Sequence, residues 1–107
     1  MGYRSKMIFG VKADKYKSEL IKVLKKHDIY DAFETIEAMN GFTIYIGDYL
    51  KWYSFYEDVK EVNALIHRAS EDGDNGFMVG CGEDGELHDE IGCWWDFVAH
   101  HSYIDIH

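Results

Sequence analysis

The stretch from Asn40 to Val59, NGFTIYIGDYLKWYSFYEDV, limits what this chain can fold into more than any other part of it. A turn signal, a period-2 strand, an aromatic cluster and a helix start follow one another there without a gap, so several local codes agree. Asn40-Gly41 is a strong hairpin signal because both residue types tolerate positive φ. Phe42, Ile44 and Ile46 then alternate with Thr43, Tyr45 and Gly47 as a half-buried antiparallel strand should. This strand is expected to run on toward Tyr49, Leu50 and Trp52, with a bulge at Gly47-Asp48. Ser54 with Glu57 three residues on reads as a capping box, and Val59, Val62, Ile66 and Ala69 give the following helix one apolar stripe.

Upstream, Arg4 to Val11 has strand composition, but its apolar residues are too dense for alternation, which suits a central strand covered on both faces. Tyr16, Leu20, Val23 and Leu24 recur at helical spacing from Asp14, a candidate cap, to His27. Ala32 to Ala38 reads as a strand only because the Asn40-Gly41 turn follows it. Downstream, EDGDNG over 71–76 is a polar turn, and Phe77–Cys81, Glu86–Cys93 and Trp94–Ile106, with Trp95, Phe97, Tyr103 and Ile104, read as a meander of short strands. The order strand, helix, hairpin, helix, strand predicts one α+β domain over 1–107. We expect a ferredoxin-like split βαβ arrangement, an antiparallel or mixed sheet with two helices on one face, plus extra C-terminal strands.

Charge narrows function. Residues 1–30 hold eight Lys or Arg against three acids, a net of +5, and residues 31–107 hold three against seventeen, a net of −14. No Lys or Arg follows Arg68, while ten acids do. Such a half repels nucleic acid and favours partners with basic surfaces, although a plain solvated face has the same composition. Half of the basic cluster is explained by Lys22, Lys25, Lys26 and His27 at a helix C-terminus, where cations are favoured. No run is long enough for a membrane helix and no signal-peptide pattern opens the chain, so a cytoplasmic protein with no membrane partner and with Cys81 and Cys93 reduced is expected.

Chemical motifs are sparse. EDGDNG departs from the calcium-loop template at the glycine, and although Glu83 stands twelfth from Asp72, the strand-like run Phe77–Cys81 lies between them. Cys81, His88, Cys93, Asp96, His100 and His101 lack the close pairs that let one turn supply two zinc ligands, so neither a metal nor a cofactor is implied. Negative neighbours at Glu83, Asp84, Glu86, Asp89 and Glu90 work against thiolate chemistry at either cysteine. The aromatic surplus is the remaining signal: Trp and Tyr beside a polar rim resemble a protein-binding hot spot, although a small core also uses large residues.

Tyr3-Arg4-Ser5, Lys51-Trp52-Tyr53 with Tyr56 and Asp58-Val59, and Gly82-Glu83-Asp84 with the acidic patch Asp89-Glu90 occur in this order along nearly the whole chain. In these pieces the chain resembles a family of small uncharacterised proteins of phages and bacterial mobile elements. It departs from them at Met78–Cys81, where members tend to carry Arg-Ile before Gly-Glu-Asp. The resemblance implies a phage accessory protein in the cytoplasm of a bacterial host, of the kind that inhibits host enzymes or defence systems. The leading expectation is therefore a small acidic protein-binding module acting on a host protein with a basic surface. Its expected partner-binding residues are Glu83, Asp84, Glu86, Asp89, Glu90, Trp52, Tyr53 and Trp95. A small metal-assisted hydrolase using His88, His100, His101 and nearby carboxylates is the alternative from the enzyme class, which is the weaker reading. A homo-oligomeric structural protein, such as a homodimer that hides its aromatics, is the third.

Overall fold

In the computed structural model, which describes residues 4–38, 40–53, 55–100 and 104–106, the dense apolar run near the N-terminus is β1, Ser5–Val11. Every residue of β1 except Lys6 is buried. The reason is position: β1 pairs antiparallel with β3, Thr43–Leu50, on one side and with β4, Gly76–Gly82, on the other. Met7, Phe9 and Val11 join the core on one face of the sheet, while Ile8 joins a second core on the opposite face. A strand covered twice has no polar side to show, so alternation disappears.

The sheet has the order β2-β3-β1-β4-β5 and is antiparallel throughout, with β2 at Glu34–Glu37 and β5 at Leu87–Ile91. Helix α1, Asp14–Lys26, leads from β1 to β2, and α2, Glu57–Glu71, leads from β3 to β4. Each connection skips one strand, so both helices fall on the same face. There Tyr16, Leu20 and Leu24 of α1 and Val59, Val62, Leu65, Ile66 and Ala69 of α2 pack over Met7, Phe9, Val11, Tyr45 and Met78. The apolar stripes read from the sequence are the stripes that are buried. None of the helices in the described residues is long and apolar enough to cross a membrane.

The Asn40-Gly41 signal makes the β2–β3 hairpin, with Gly41 at φ +91° and the Ala38 amide donating to the Phe42 carbonyl at 2.8 Å. The expected bulge is also present. Met7 pairs with Gly47 but Ser5 with Leu50, and Tyr49 takes up the extra residue at φ +56°. Trp52 lies past the strand end. The helix starts differ from expectation. Ala13 is the N-cap of α1, which puts Asp14 one position inside, where its charge still suits the positive helix end. Tyr56 precedes α2, and Ser54 lies outside the described residues, as do Tyr3 and Tyr103.

The last third is not one meander. β4 and β5 form a hairpin in the main sheet, but β6, Val98–His100, and β7, Ile104–Ile106, form a separate two-stranded sheet. Between them Gly92, at φ +67°, turns the chain so closely past β4 that a Cβ there would stand 2.6 Å from the Gly76 carbonyl oxygen. A 3-10 turn at Trp94–Asp96 follows. The hairpin then covers the face opposite the helices, where Val98 and Ile104 pack with Ile8, Ile44, Val79 and Cys81. Phe97 stacks on Phe77 with ring centroids 4.3 Å apart and meets Phe42 at 4.8 Å. Because Ile104 is fully buried there, Ile104→Ala should cost about 2–5 kcal/mol. A shift in the urea midpoint at unchanged slope will measure it, and a loss below about 0.5 kcal/mol would mean that the hairpin is not part of the core.

Candidate functional site

The acidic turn between β4 and β5 is built partly by its own carboxylates. The Gly82 amide donates to the Glu86 carbonyl at 3.0 Å and Gly85 takes φ +81°. Asp84 Oδ1 accepts the Glu86 amide at 3.1 Å, and Glu83 Oε1 accepts the Arg4 amide at 2.5 Å. The Asp84 bond explains an acid next to a glycine here, since a short carboxylate satisfies a turn amide. Glu83, Asp84 and Glu86 remain exposed, as does Glu90. Tyr49, presented by the bulge and 71% exposed, lies against this turn. It lines a cavity of about 120 Å³ together with Arg4, Ser5, Asp48 and Glu83. The Arg4 guanidinium sits 4.9 Å from the Tyr49 ring centre.

Trp95 belongs to a different place. It is 58% exposed and meets Trp94 edge to face at 5.8 Å, and the Trp94 indole N–H donates to Glu90 Oε1 at 3.2 Å. The acidic turn and Trp95 thus lie at opposite ends of β5, separated by roughly 15 Å of extended chain. The structure divides the expected surface into two patches.

Two of the expected contact residues are something else. Trp52 is 8% exposed, with its ring 6.1 Å from Phe9 and 6.3 Å from Phe33. It belongs to the helix-side core, and its indole N–H has no hydrogen-bond partner among the described residues. That orphan donor costs about 1–3 kcal/mol, less than the burial of so large a ring returns. Asp89 is half-buried and turned inward, its carboxylate bound to His88 Nδ1 at 2.8 Å and to Asn63 Nδ2 at 3.4 Å. Tyr53 is half-buried, stacked on the exposed Phe55 at 5.6 Å and edge-on to Tyr56 at 5.3 Å.

Of the three histidines in the hydrolase reading, His88 lies in β5, the side chain of His100 is not among those described, and His101 lies outside the described residues. No group of three or more His, Cys, Asp or Glu among the described residues is arranged to hold a metal ion. Cys81 and Cys93 are free thiols. The Cys81 thiol is pushed above its ordinary pKa first by burial, with Asp84 adding a smaller push against a hydrogen bond from Ile104. Of the acids named from the sequence, Asp84 acts in the expected direction there, but desolvation is the larger cause.

The EDGDNG turn is a brace. Asp72 Oδ2 accepts the Tyr16 hydroxyl at 2.8 Å and meets Lys15 Nζ at 3.2 Å, tying the end of α2 to the start of α1. Further along, Glu61 receives Lys26 at 2.8 Å and His27 at 2.7 Å, and Glu19 pairs with Arg68 at 2.6 Å. Lys15 and Lys26, two of the bases that a nucleic acid would need, are therefore held by acids of the same chain.

One constellation has no motif in the sequence to announce it. Ser5 Oγ lies 2.9 Å from His88 Nε2, whose other ring nitrogen is the one bound to Asp89. Ser5 and His88 are 83 positions apart, and only the β1–β4–β5 register brings them together. Gly80 makes the seat, since a Cβ on it would stand 2.5 Å from His88 Cε1. No family model matches the chain, and no curated protein or solved structure matches it either.

Trp52→Ala should cost about 3–5 kcal/mol, whereas Trp95→Ala should change stability by no more than about 0.5 kcal/mol, both read by urea unfolding. The pKa of Asp72 is lowered from 3.8 by the Tyr16 hydroxyl first and Lys15 second. A carboxyl with a depressed folded-state pKa adds stability above its unfolded value and loses it as pH falls through the folded one. Asp72→Asn should therefore lower the melting temperature at neutral pH, and the gap to the parent protein should close as the pH drops below 3.8.

Proposed function

We propose that the chain is a small acidic protein-binding module that captures a host protein through a basic surface and inhibits it. The observation that carries this reading is Trp95, 58% exposed on a support made of Trp94 and Glu90, in a segment with no Lys or Arg after Arg68. A large aromatic ring set in an acidic rim combines a desolvating anchor with long-range attraction for cations. At the other end of β5, Tyr49 repeats the combination beside Asp48 and Glu83. A partner that meets both patches needs a basic surface at least roughly 15 Å long, the length of the strand between them. The resemblance to small phage proteins makes that partner a protein of the bacterial cytoplasm, where an inhibitor of a host enzyme or defence system would work.

We also read the architecture as ferredoxin-like, with β5 and the β6–β7 hairpin as additions. The β2-β3-β1-β4 order and the two skipping helix connections support it.

Affinity capture from bacterial lysate tests the function. Glu86→Lys, Glu90→Lys and Trp95→Ala combined should remove the captured protein, and raising the salt from 0.05 to about 0.5 M should weaken capture by the parent chain, because the exposed charges are screened. Capture that survives the triple substitution would refute the proposal. Light scattering separates the homodimer: a dimer dissociated by Trp95→Ala would assign the aromatic patch to self-association.

A further inference from the structure

We propose that Ser5, His88 and Asp89 form an acyl-transfer site that hydrolyses esters with short acyl groups. Asp89 Oδ2 lies 2.8 Å from His88 Nδ1, and His88 Nε2 lies 2.9 Å from Ser5 Oγ. An ionised carboxylate only accepts, so the proton on a neutral His88 ring is at Nδ1. That leaves Nε2 as the acceptor facing the Ser5 hydroxyl, the tautomer a general base needs.

The surroundings hold this arrangement in place. Asn63 of α2 donates to the second oxygen of Asp89 at 3.4 Å. Asp89 itself is kept at φ +52° within β5, a left-handed conformation that a non-glycine residue adopts at some cost and that is found more often at functional sites. The missing side chain of Gly80 leaves room for the imidazole, which Met7 bounds on the same side. Ser5 is only 3% exposed and is one of the residues that border the 120 Å³ cavity. Arg4 lines the same cavity and brings N–H donors suited to a developing oxyanion.

The reaction balances with water as the only co-reactant. Ser5 Oγ bonds to the ester carbonyl carbon while its proton passes to His88 Nε2. The C–O bond to the alcohol breaks, and the alcohol leaves with that proton. Water then attacks the acyl-Ser5 ester, again giving a proton to His88 Nε2, and the acid departs as the proton returns to Ser5 Oγ. Ser5 and His88 are the catalytic residues, and Asp89 is a positioning residue.

Treatment of the full chain with diisopropyl fluorophosphate, followed by intact-mass analysis and peptide mapping, tests the site. One phosphoryl adduct should appear at Ser5, and p-nitrophenyl acetate should be hydrolysed with an initial burst. Both should vanish in Ser5→Ala and slow at least about 100-fold in His88→Gln, the size of a lost general base. Asp89→Glu should keep more of the labelling rate than Asp89→Asn, a difference that a purely structural carboxylate would not produce. Folded parent protein left unlabelled, or labelled at another residue, would overturn the proposal, and that result needs no variant to fold. Partner capture is read separately and does not enter this result.

Discussion

The structure depends on the burial of β1 from both sides. A central strand flanked by two antiparallel neighbours has all its backbone hydrogen bonds made within the sheet, so only its side chains remain to be covered. Met7, Phe9 and Val11 can be covered by the two helices because both crossovers fall on one face. Ile8 would then stay in water together with Ile44, Val79 and Cys81 unless another element closed the second face. The β6–β7 hairpin and Phe97 supply that cover. The result is a three-layer molecule in which the chain beyond the main sheet is part of the core.

Charge is used in two separate ways. On the helix layer, acids and bases pair with each other: Glu61 with Lys26 and His27, Glu19 with Arg68, Asp72 with Lys15. Exposed pairs of this kind contribute roughly 0–1 kcal/mol each, and two of them bring acids from α2 and its end to Lys15 and Lys26 of the basic N-terminal part. Along β4, β5 and the turn that follows, the acids share their segment with no Lys or Arg. Asp84 caps a turn amide and Glu83 accepts the amide of Arg4 before β1, and both still present charge outward. An acidic field with exposed rings at both ends of one strand is the property that gives the binding reading its content.

The Ser5–His88–Asp89 chain lies between these two regions, on the strands that join the helix-side core to the acidic edge. It shows how a sheet can assemble polar groups from distant parts of a sequence with no motif to announce them. Three strands in fixed register, one glycine without a side chain and one aspartate in a left-handed conformation suffice. A buried hydroxyl also needs a partner, and His88 satisfies Ser5 there.

Local patterning was enough to read the elements. The Asn-Gly turn, the bulge near Gly47 and the two amphipathic helices each follow from φ preferences or from one apolar stripe, and these act within a few residues. Even the central place of β1 was legible, because a doubly covered strand cannot alternate. The fate of individual surface-type residues was not. Trp52 and Trp95 have the same chemistry and both stand next to Tyr or Trp, yet one fills the core beside Phe9 and the other is open to solvent. Adjacent acids also separate, Asp89 turning inward to His88 while Glu90 stays outside. The sequence by itself determined which segments become strands and helices, since those choices are set by neighbours along the chain. Only the tertiary structure decided that the C-terminal hairpin folds over the second face and that Ser5 meets His88, because sheet register couples residues by distance in space and leaves no periodic trace in the sequence.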